Sequence, residues 1–205
     1  RTTTLLEVFD NAMDMRGPDF EFLDYSGEKH TLGELDLRST RLAQGLHEAG
    51  ARPGECVTCI LDNCVEQFIL LLACSKLGSI FVGLNTAYKG EYLRHQVADS
   101  GAVVLVGEKE YVDRLIDIED GIPEARVLIV KGEMTGSMPN RLKLMSFDDA
   151  SKGSDVTLDH VSVPSDLAML VYTAGTTGPS KGCMVSQSYL CNQARQIADC
   201  MHYTK

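Results

Sequence analysis

The sequence predicts an α/β fold in which helices and strands alternate around a mostly parallel sheet. The first observation behind this prediction is that short β-prone apolar runs recur between helical stretches, the pattern of β-α units whose sheet is covered on both faces. The second is that 205 residues, 44% of them hydrophobic and 23% charged, suffice to bury a large core without disulfides or metal ions. The third is that the longest apolar run, residues 68–74, is far shorter than the roughly 20 residues of a membrane-spanning helix.

The individual elements can be justified in order along the chain. Met13 and Met15 are predicted to lie in an amphipathic N-terminal helix. Thr31 and Glu34 match a capping box, and leucines recur at helical spacing after them, so a helix is predicted over residues 31–49 with Gly50 at its end. The remaining alternation predicts strand 56–61, helix 65–77 ending at Gly78, strand 80–84, helix 91–99, strand 102–106, helix 110–118 and strand 126–130.

The segment over residues 131–163 interrupts the alternation. Because glycines and a proline recur in it, we predict a surface connector within the fold, with one short helix over residues 146–150. In the polar turn before this segment, Asp117, Glu119 and Asp120 are expected to be solvated. The five histidines are scattered without a metal-binding spacing, and His95 is expected to be a surface or packing residue on its helix.

The charge of the chain excludes some partners. Its 19 basic and 29 acidic side chains give a net charge of −10 and a pI of about 4.9. Nucleic acids and anionic membranes both require a positive face, so neither is expected as the main partner. The first six residues show no apolar segment followed by a cleavage site, and no secretory signal is predicted.

The seven cysteines indicate a reducing compartment, and we expect a cytoplasmic protein. Their number is odd, and several of them lie inside apolar runs rather than between loops. Cys56 and Cys59 have the spacing of a redox or zinc motif. However, they fall within a predicted strand, where residues three apart point to opposite faces, so a structural role is favoured.

The segment with the strongest chemical signal follows the last predicted strand, residues 167–172. The next ten residues contain three threonines, three glycines and a lysine, and after them Ser186 is placed to cap a helix that carries Tyr189, Gln193 and Ile197. Glycines let backbone N–H groups approach an anion, hydroxyls add donors, and Lys181 adds a positive charge. The segment therefore predicts a polyphosphate-binding loop.

Two other interpretations of this loop are less favoured. The Walker motif fails on spacing, because Ser180 occupies the position of its second glycine and Gly182 that of its Ser or Thr. A glycine-rich surface turn is the structural alternative. Such a turn rarely combines these residues directly after a buried strand.

Residues 172–182 resemble the phosphate-binding signature of the adenylate-forming superfamily, which includes acyl-CoA synthetases, peptide-synthetase adenylation domains and luciferases. Upstream segments resemble the same family in the expected order: residues 22–25 with 31–35, residues 52–57, and residues 77–91. The resemblance thus extends over nearly the whole chain, although only the loop is highly specific by itself.

The resemblance implies an acid-thiol ligase that uses ATP and Mg²⁺ to convert a carboxylic acid to an acyl-adenylate and then to a coenzyme A thioester, as in fatty acid metabolism. Lys181 is the implied catalytic residue, since its charge would offset that of the departing pyrophosphate, and Thr173 is implied to help hold Mg²⁺. Two residues depart from the family pattern: Ala174 replaces a serine, and Gln187 replaces a frequent histidine. The residues implied to bind ATP are Thr173, Ala174, Gly175, Thr176, Thr177, Gly178, Pro179, Ser180, Lys181 and Gly182.

The resemblance also implies a domain organisation. Residues 1–205 would form the N-terminal portion of the AMP-binding domain, and the rest of that domain and a C-terminal domain would complete the site. The 205 residues alone are therefore expected to be inactive. The residues leave open a non-catalytic nucleotide-binding or anion-binding module, a scaffold paralogue, a carrier-protein thiol in place of coenzyme A, and a homodimer.

Overall fold

A computed structural model describes residues 3–133, 136–173 and 179–201. In chain order, its α-helices and strands are α1 (Leu5–Arg16), β1 (Glu21–Tyr25), β2 (Glu28–Thr31), α2 (Leu32–Glu48), β3 (Cys56–Ile60), α3 (Val65–Leu77), β4 (Ile80–Gly83), α4 (Gly90–Ser100), β5 (Val104–Glu108), α5 (Val112–Ile116), β6 (Val127–Lys131), β7 (Lys143–Ser146), α6 (Phe147–Ala150), β8 (Leu167–Thr173), β9 (Lys181–Ser186) and α7 (Gln187–Cys200).

The described strands form a seven-stranded sheet with the order β7-β6-β5-β3-β4-β8-β9, and a separate hairpin of β1 and β2. Every neighbouring pair in the large sheet is parallel except β8 and β9, which are antiparallel. The connection through α4 carries the chain from β4 across β3 to β5. The prediction of an α/β fold with a mostly parallel sheet is confirmed.

The sheet separates two apolar cores. One core contains buried side chains of α2, α3 and α6, and the other contains side chains of α4 and α5. Strand β3 contributes to both, because Cys59 lies in the first core and Cys56 in the second. This confirms that the two thiols point to opposite faces of the sheet, as expected for residues three apart in a strand.

Helix α2 begins as predicted, with only half of a capping box. The Thr31 hydroxyl accepts the backbone N–H of Glu34 at 3.2 Å. The Glu34 carboxylate bonds instead to the His30 Nδ1 and the Arg38 guanidinium, each at 2.9 Å. Thr31 thus satisfies a backbone N–H group of the first turn, and Glu34 links the helix to His30 of the β1–β2 hairpin.

Helix α2 also approaches the segment around α6 very closely. A Cβ atom placed on Gly45 would lie 1.9 Å from the Ala150 carbonyl oxygen, a distance at which something must shift. Gly45 is buried and lies in the interior of helix α2, where glycine destabilises the helix relative to other residues. The glycine is thus explained by packing rather than by helix formation.

Several predicted boundaries differ from the structure. The predicted helix 65–77 is confirmed, and Gly78 ends it in the left-handed conformation with a φ of 78°. Strand β5 lies two residues further along than predicted, and α5 has only 5 residues. Four strands were missed in which most side chains are at least partly exposed, namely β1, β2, β7 and β9, because each depends on a neighbouring strand rather than on a buried apolar run.

The expectation that Glu119 is solvated is wrong. Its side chain is 3% exposed, and its carboxylate accepts the backbone N–H groups of Asn140 at 2.9 Å and Arg141 at 3.2 Å. These bonds, led by that of Asn140, lower the pKa of Glu119. The Arg141 guanidinium in turn donates to the backbone carbonyls of Glu119, Ile122 and Ala125. The connector is therefore bound to the segment over residues 119–125, which precedes β6.

Among residues 3–133, 136–173 and 179–201, no helix combines the length and the hydropathy that a membrane crossing requires.

Candidate functional site

The predicted loop joins two antiparallel strands. Thr173, the last residue of β8, pairs with Lys181, the first residue of β9, and Tyr172 pairs with Gly182. The loop of ten residues is thus shorter than expected, because its first residue and its last two belong to strands. Pro179 and Ser180 lie just before β9. Ala174, Gly175, Thr176, Thr177 and Gly178 lie outside the described residues.

The hairpin places the loop at a favourable edge of the sheet. Strand β8 runs parallel to β4, with Phe81 paired to Met169 and Val82 to Leu170. The loop therefore leaves the sheet at the carboxyl ends of its parallel strands. In open α/β sheets this edge is where ligands bind, because the loops there are close to one another and their backbone groups are not used by the sheet.

Lys181 is available to an anion. The residue is exposed. Within the part of the chain that the structure describes, no carboxylate forms an ion pair with its ammonium group. An exposed ammonium at the mouth of a loop can attract phosphate, and the charge role of Lys181 stays a prediction.

Ser180, immediately before Lys181, is held by two side chains of α4. The His95 Nε2–H donates to the backbone carbonyl of Ser180 at 2.8 Å. The Gln96 Nε2–H donates to the Ser180 hydroxyl oxygen at 2.9 Å. Since this hydroxyl oxygen accepts from Gln96, its own proton remains available to a ligand oxygen. His95, expected to be a surface or packing residue, therefore also contacts the candidate site.

The other arm of the hairpin is held by the same helix. The Tyr172 hydroxyl donates to the Asp99 carboxylate at 2.7 Å. Burial and then this carboxylate raise the pKa of Tyr172. The Tyr172 ring covers its partner Gly182, where a Cβ atom would lie 3.1 Å from the ring. Gly182 thus leaves room for the tyrosine, a packing role that differs from the anion contact expected from the sequence.

Ser186 and Gln187 follow the hairpin and start α7. The Ser186 hydroxyl accepts the backbone N–H of Tyr189 at 3.3 Å, which confirms the predicted cap. The side chain of Gln187 is buried, and its Oε1 accepts the backbone N–H of Leu5 at 3.0 Å. Gln187 therefore supplies a hydrogen-bond acceptor to the first residue of α1. Its departure from the family pattern has a structural use in this chain.

The structure gives no support to a metal centre made by the protein alone. Among the described residues, no three histidine, cysteine, aspartate or glutamate side chains are placed to hold a metal ion. All seven cysteines are free thiols. Thr173 offers Mg²⁺ a single neutral oxygen, so the described residues fit a Mg²⁺ ion only if phosphate and water supply most of its ligands.

The contacts between α4 and the hairpin were not predicted, and the sequence carries only a weak signal for them. His95, Gln96 and Asp99 are spaced so that the first and last share a helix face. However, their partners lie about 80 residues away, at separations of 85, 84 and 73 positions. No local pattern connects them, because the contact depends on β8 pairing with β4.

Comparison with known proteins identifies the family. The AMP-binding enzyme family matches residues 9–205. 4-Coumarate–CoA ligase 5 of Oryza sativa subsp. japonica is 31% identical over 192 residues, which cover 94% of this chain and 34% of that protein. Feruloyl-CoA synthase of an Amycolatopsis species is 34% identical over 167 residues, which cover 81% of this chain and 30% of that protein. The chain thus spans about a third of the length of these relatives.

Solved structures agree with this comparison. The anthranilate CoA ligase AuaEII in complex with anthranoyl-AMP has the same fold, with a TM-score of 0.84 and 24% identity over 95% of this chain and 36% of that one. ATP-bound MatB from Rhodopseudomonas palustris has a TM-score of 0.73 and 26% identity over 94% of this chain and 37% of that one. With the hairpin and the family match in agreement, the chain belongs to the AMP-binding enzyme family of adenylate-forming ligases, as the loop signature predicted.

Proposed function

We propose that this chain carries the phosphate-binding part of an enzyme that activates a carboxylic acid with ATP and transfers the acyl group to coenzyme A. The observation that carries the proposal is the position of Lys181 beside Ser180. Its exposed ammonium lies at the carboxyl edge of the sheet without a carboxylate partner among the described residues. The family match and the coenzyme A ligases among the relatives support this reading.

In the proposed reaction, a carboxylate oxygen of the acid attacks the α-phosphorus of ATP. The bond to the bridging oxygen breaks, which gives an acyl-adenylate and pyrophosphate. The thiol of coenzyme A then attacks the acyl carbonyl, AMP leaves, and the thiol proton is released. Lys181 stabilises the first step because negative charge accumulates on the departing pyrophosphate beside its ammonium.

The remaining loop residues are assigned by proposal alone. Ser180 donates its free hydroxyl proton to a phosphate oxygen, and the backbone N–H groups over residues 174–178 surround the β- and γ-phosphates. Thr173 contributes one oxygen to Mg²⁺, which neutralises part of the phosphate charge. Ala174 has a methyl group where the family pattern has a serine hydroxyl. The hydroxyl donors of the loop are therefore Thr173, Thr176, Thr177 and Ser180.

The substrate acid is proposed from the relatives. 4-Coumarate–CoA ligases and feruloyl-CoA synthases are among the curated relatives, and their names point to aromatic acids. We therefore take 4-coumarate and ferulate as the first acids to test. A carrier-protein thiol is the second candidate acceptor, because the family that residues 172–182 resemble includes peptide-synthetase adenylation domains as well as acyl-CoA synthetases.

We further propose that residues 1–205 form the N-terminal portion of the AMP-binding domain, and that the site is completed by further parts of the full-length enzyme. The coverage of about a third of the relatives supports this division. On this proposal the 205 residues alone do not turn over substrate. The free cysteines support a reducing, cytoplasmic location.

The test is exchange of labelled pyrophosphate into ATP by the full-length protein. With 4-coumarate or ferulate present, exchange is expected, and Lys181→Ala should reduce it at least about a hundredfold, the scale of losing one charge-stabilising group. Lys152→Ala is the matched control, because Lys152 is an exposed lysine that pairs with Asp149 away from the hairpin. Exchange that is equal in both variants would refute the role of Lys181.

A second measurement separates the enzyme from a simple binding module. Calorimetry of the 205 residues with ATP should give only weak, millimolar binding, because much of the nucleotide site is missing on this proposal. Tight stoichiometric binding by the 205 residues, with no exchange by the full-length protein, would favour a binding module instead.

A further inference from the structure

We infer that helix α4 is the anchor of the phosphate loop, and that His95, Gln96 and Asp99 are positioning residues that set the affinity for the β- and γ-phosphates of ATP. This inference rests on the proposed function of the loop. It goes further in naming three residues outside the loop, on a helix that the sequence signature does not include.

Helix α4 holds both arms of the hairpin. His95 and Gln96 bond to Ser180 on the β9 side at 2.8 Å and 2.9 Å, and Asp99 bonds to Tyr172 on the β8 side at 2.7 Å. The loop begins and ends between these two attachment points. A loop fixed at both ends by one rigid helix loses less conformational entropy when it binds a ligand.

Helix α4 is itself held in place by the core. Its inner face carries Leu93 and Val97, which are 0% and 1% exposed and belong to the second apolar core. Gln96 is 1% exposed as well. The three anchoring side chains thus belong to a helix whose position is set by the core. Their hydrogen bonds in turn fix the positions of Ser180 and Tyr172.

Gln96 is an energetically costly residue at its buried position. Its amide nitrogen bonds to Ser180, and its buried amide oxygen has no hydrogen-bond partner among the described residues. An unpaired buried oxygen destabilises the fold, and a leucine or methionine would fill the same volume without this cost. Within residues 3–133, 136–173 and 179–201, the contact with Ser180 is the one hydrogen bond of this amide.

The anchor acts on the binding of ATP and not on that of AMP. Ser180 precedes Lys181, so a displacement of Ser180 also displaces the lysine backbone and its ammonium. On the proposed function these two residues contact the β- and γ-phosphates, which ATP has and AMP lacks. Loss of the anchor should therefore weaken ATP binding and leave AMP binding unchanged. General damage to the fold would weaken both.

The experiment measures dissociation constants of ATP and AMP, each with MgCl₂, for the full-length protein and its variants. Gln96→Leu, His95→Ala and Tyr172→Phe should each raise the constant for ATP about fivefold, the scale of one hydrogen bond, and leave that for AMP within twofold. His95→Gln should restore most of the affinity, because its amide can also donate to the Ser180 carbonyl.

Two matched controls remove similar bonds elsewhere. Tyr111→Phe deletes a tyrosine bond to Asp62, and Gln44→Ala deletes a glutamine bond to the Val156 carbonyl. Both should leave the ratio of the two constants unchanged. Thermal melting of every variant identifies any that unfold, and Tyr172→Phe, which keeps the ring, serves where Gln96→Leu fails to fold.

The outcomes separate this inference from the proposed function. If Lys181→Ala weakens ATP binding selectively and the anchor variants do not, the anchor is refuted and the loop function stands. If the anchor variants raise both constants equally, their role is structural and the inference is also refuted. If Lys181→Ala changes neither constant, the proposed function of the loop fails first.

Discussion

Gln187, at the start of α7, accepts the backbone N–H of Leu5, at the start of α1, across 182 positions of the chain. One side chain thus joins the first helix to the last. A helix N-terminus leaves backbone N–H groups without partners, and a buried amide oxygen supplies one here. We expect this bond to contribute to the stability of both termini.

Gln187→Leu should lower the free energy of unfolding by about 1–3 kcal/mol, because it leaves a partly buried N–H without an acceptor. Chemical denaturation checks this value, and hydrogen exchange should show faster exchange in α1. Asn192→Ala, an exposed change on the same helix, is the control. Equal stability of the two variants would contradict the assigned role of Gln187.

Gly45→Ala should destabilise the protein, although the same change stabilises most helices by about 1 kcal/mol. The new methyl group would meet the Ala150 carbonyl, so α2 and α6 must separate. We expect a loss of about 3 kcal/mol, at the upper end for overpacked cores, measured by urea unfolding. Glu48→Ala, on the exposed face of α2, should show no such loss. A more stable Gly45→Ala protein would refute the close contact.

Glu119→Gln should destabilise the protein in a manner that depends on pH. The folded-state pKa of Glu119 is lower than the ordinary value of 4.5, first because the Asn140 N–H bonds to its carboxylate. The ionised group therefore stabilises the fold fully above about pH 4.5, and this contribution is lost as the pH falls through the lowered pKa. At pH 7 we expect a loss of about 2 kcal/mol, the scale of hydrogen bonds to a charged group.

The same comparison at acidic pH completes this test. Unfolding of wild type and Glu119→Gln should be compared at pH 7 and at the lowest pH at which both remain folded. The difference between them should shrink at the acidic end. A difference that stays constant with pH would show that the charge of Glu119 contributes nothing.

The cysteines should fall into two classes in a thiol titration of the native protein. Cys183 and Cys200 are exposed and should react with a disulfide reagent at once. Burial raises the pKa of Cys56 to about 11 and that of Cys74 to about 12, so both should remain protonated and unreactive at pH 8. Cys59, which is also buried, should react only after unfolding. Fast reaction of Cys56 and Cys59 would revive the redox interpretation.

The parts of the fold that the sequence predicts well are those with local causes. Helix α3 ends at Gly78 because glycine adopts the left-handed conformation, and Ser186 caps α7 through its own hydroxyl. The loop was recognisable because glycines, hydroxyls and a lysine are the chemistry of phosphate binding whatever surrounds them. Each of these signals lies within a few residues of the feature it predicts.

The parts that escaped prediction have distant causes. Strand β7 has four residues, none of them buried, and becomes a strand because β6 pairs with it, from Val127 with Lys143 to Val130 with Ser146. Glu119 is buried because Asn140 and Arg141 return to it from the connector. Likewise, Gln96 and Ser180 meet through the placement of β8 beside β4. A pattern of neighbouring residues cannot contain such information.

The position of β8 has a consequence for folding. Strands β3 to β7 form a continuous sheet from residues 56–146 alone, whereas β8 joins it through β4, a strand made much earlier in the chain. Closing such a long connection is entropically slow, and local pairings form first. We therefore expect the hairpin that bears Lys181 to be among the last elements to dock. The sheet of β3 to β7 would then form before the candidate phosphate-binding site.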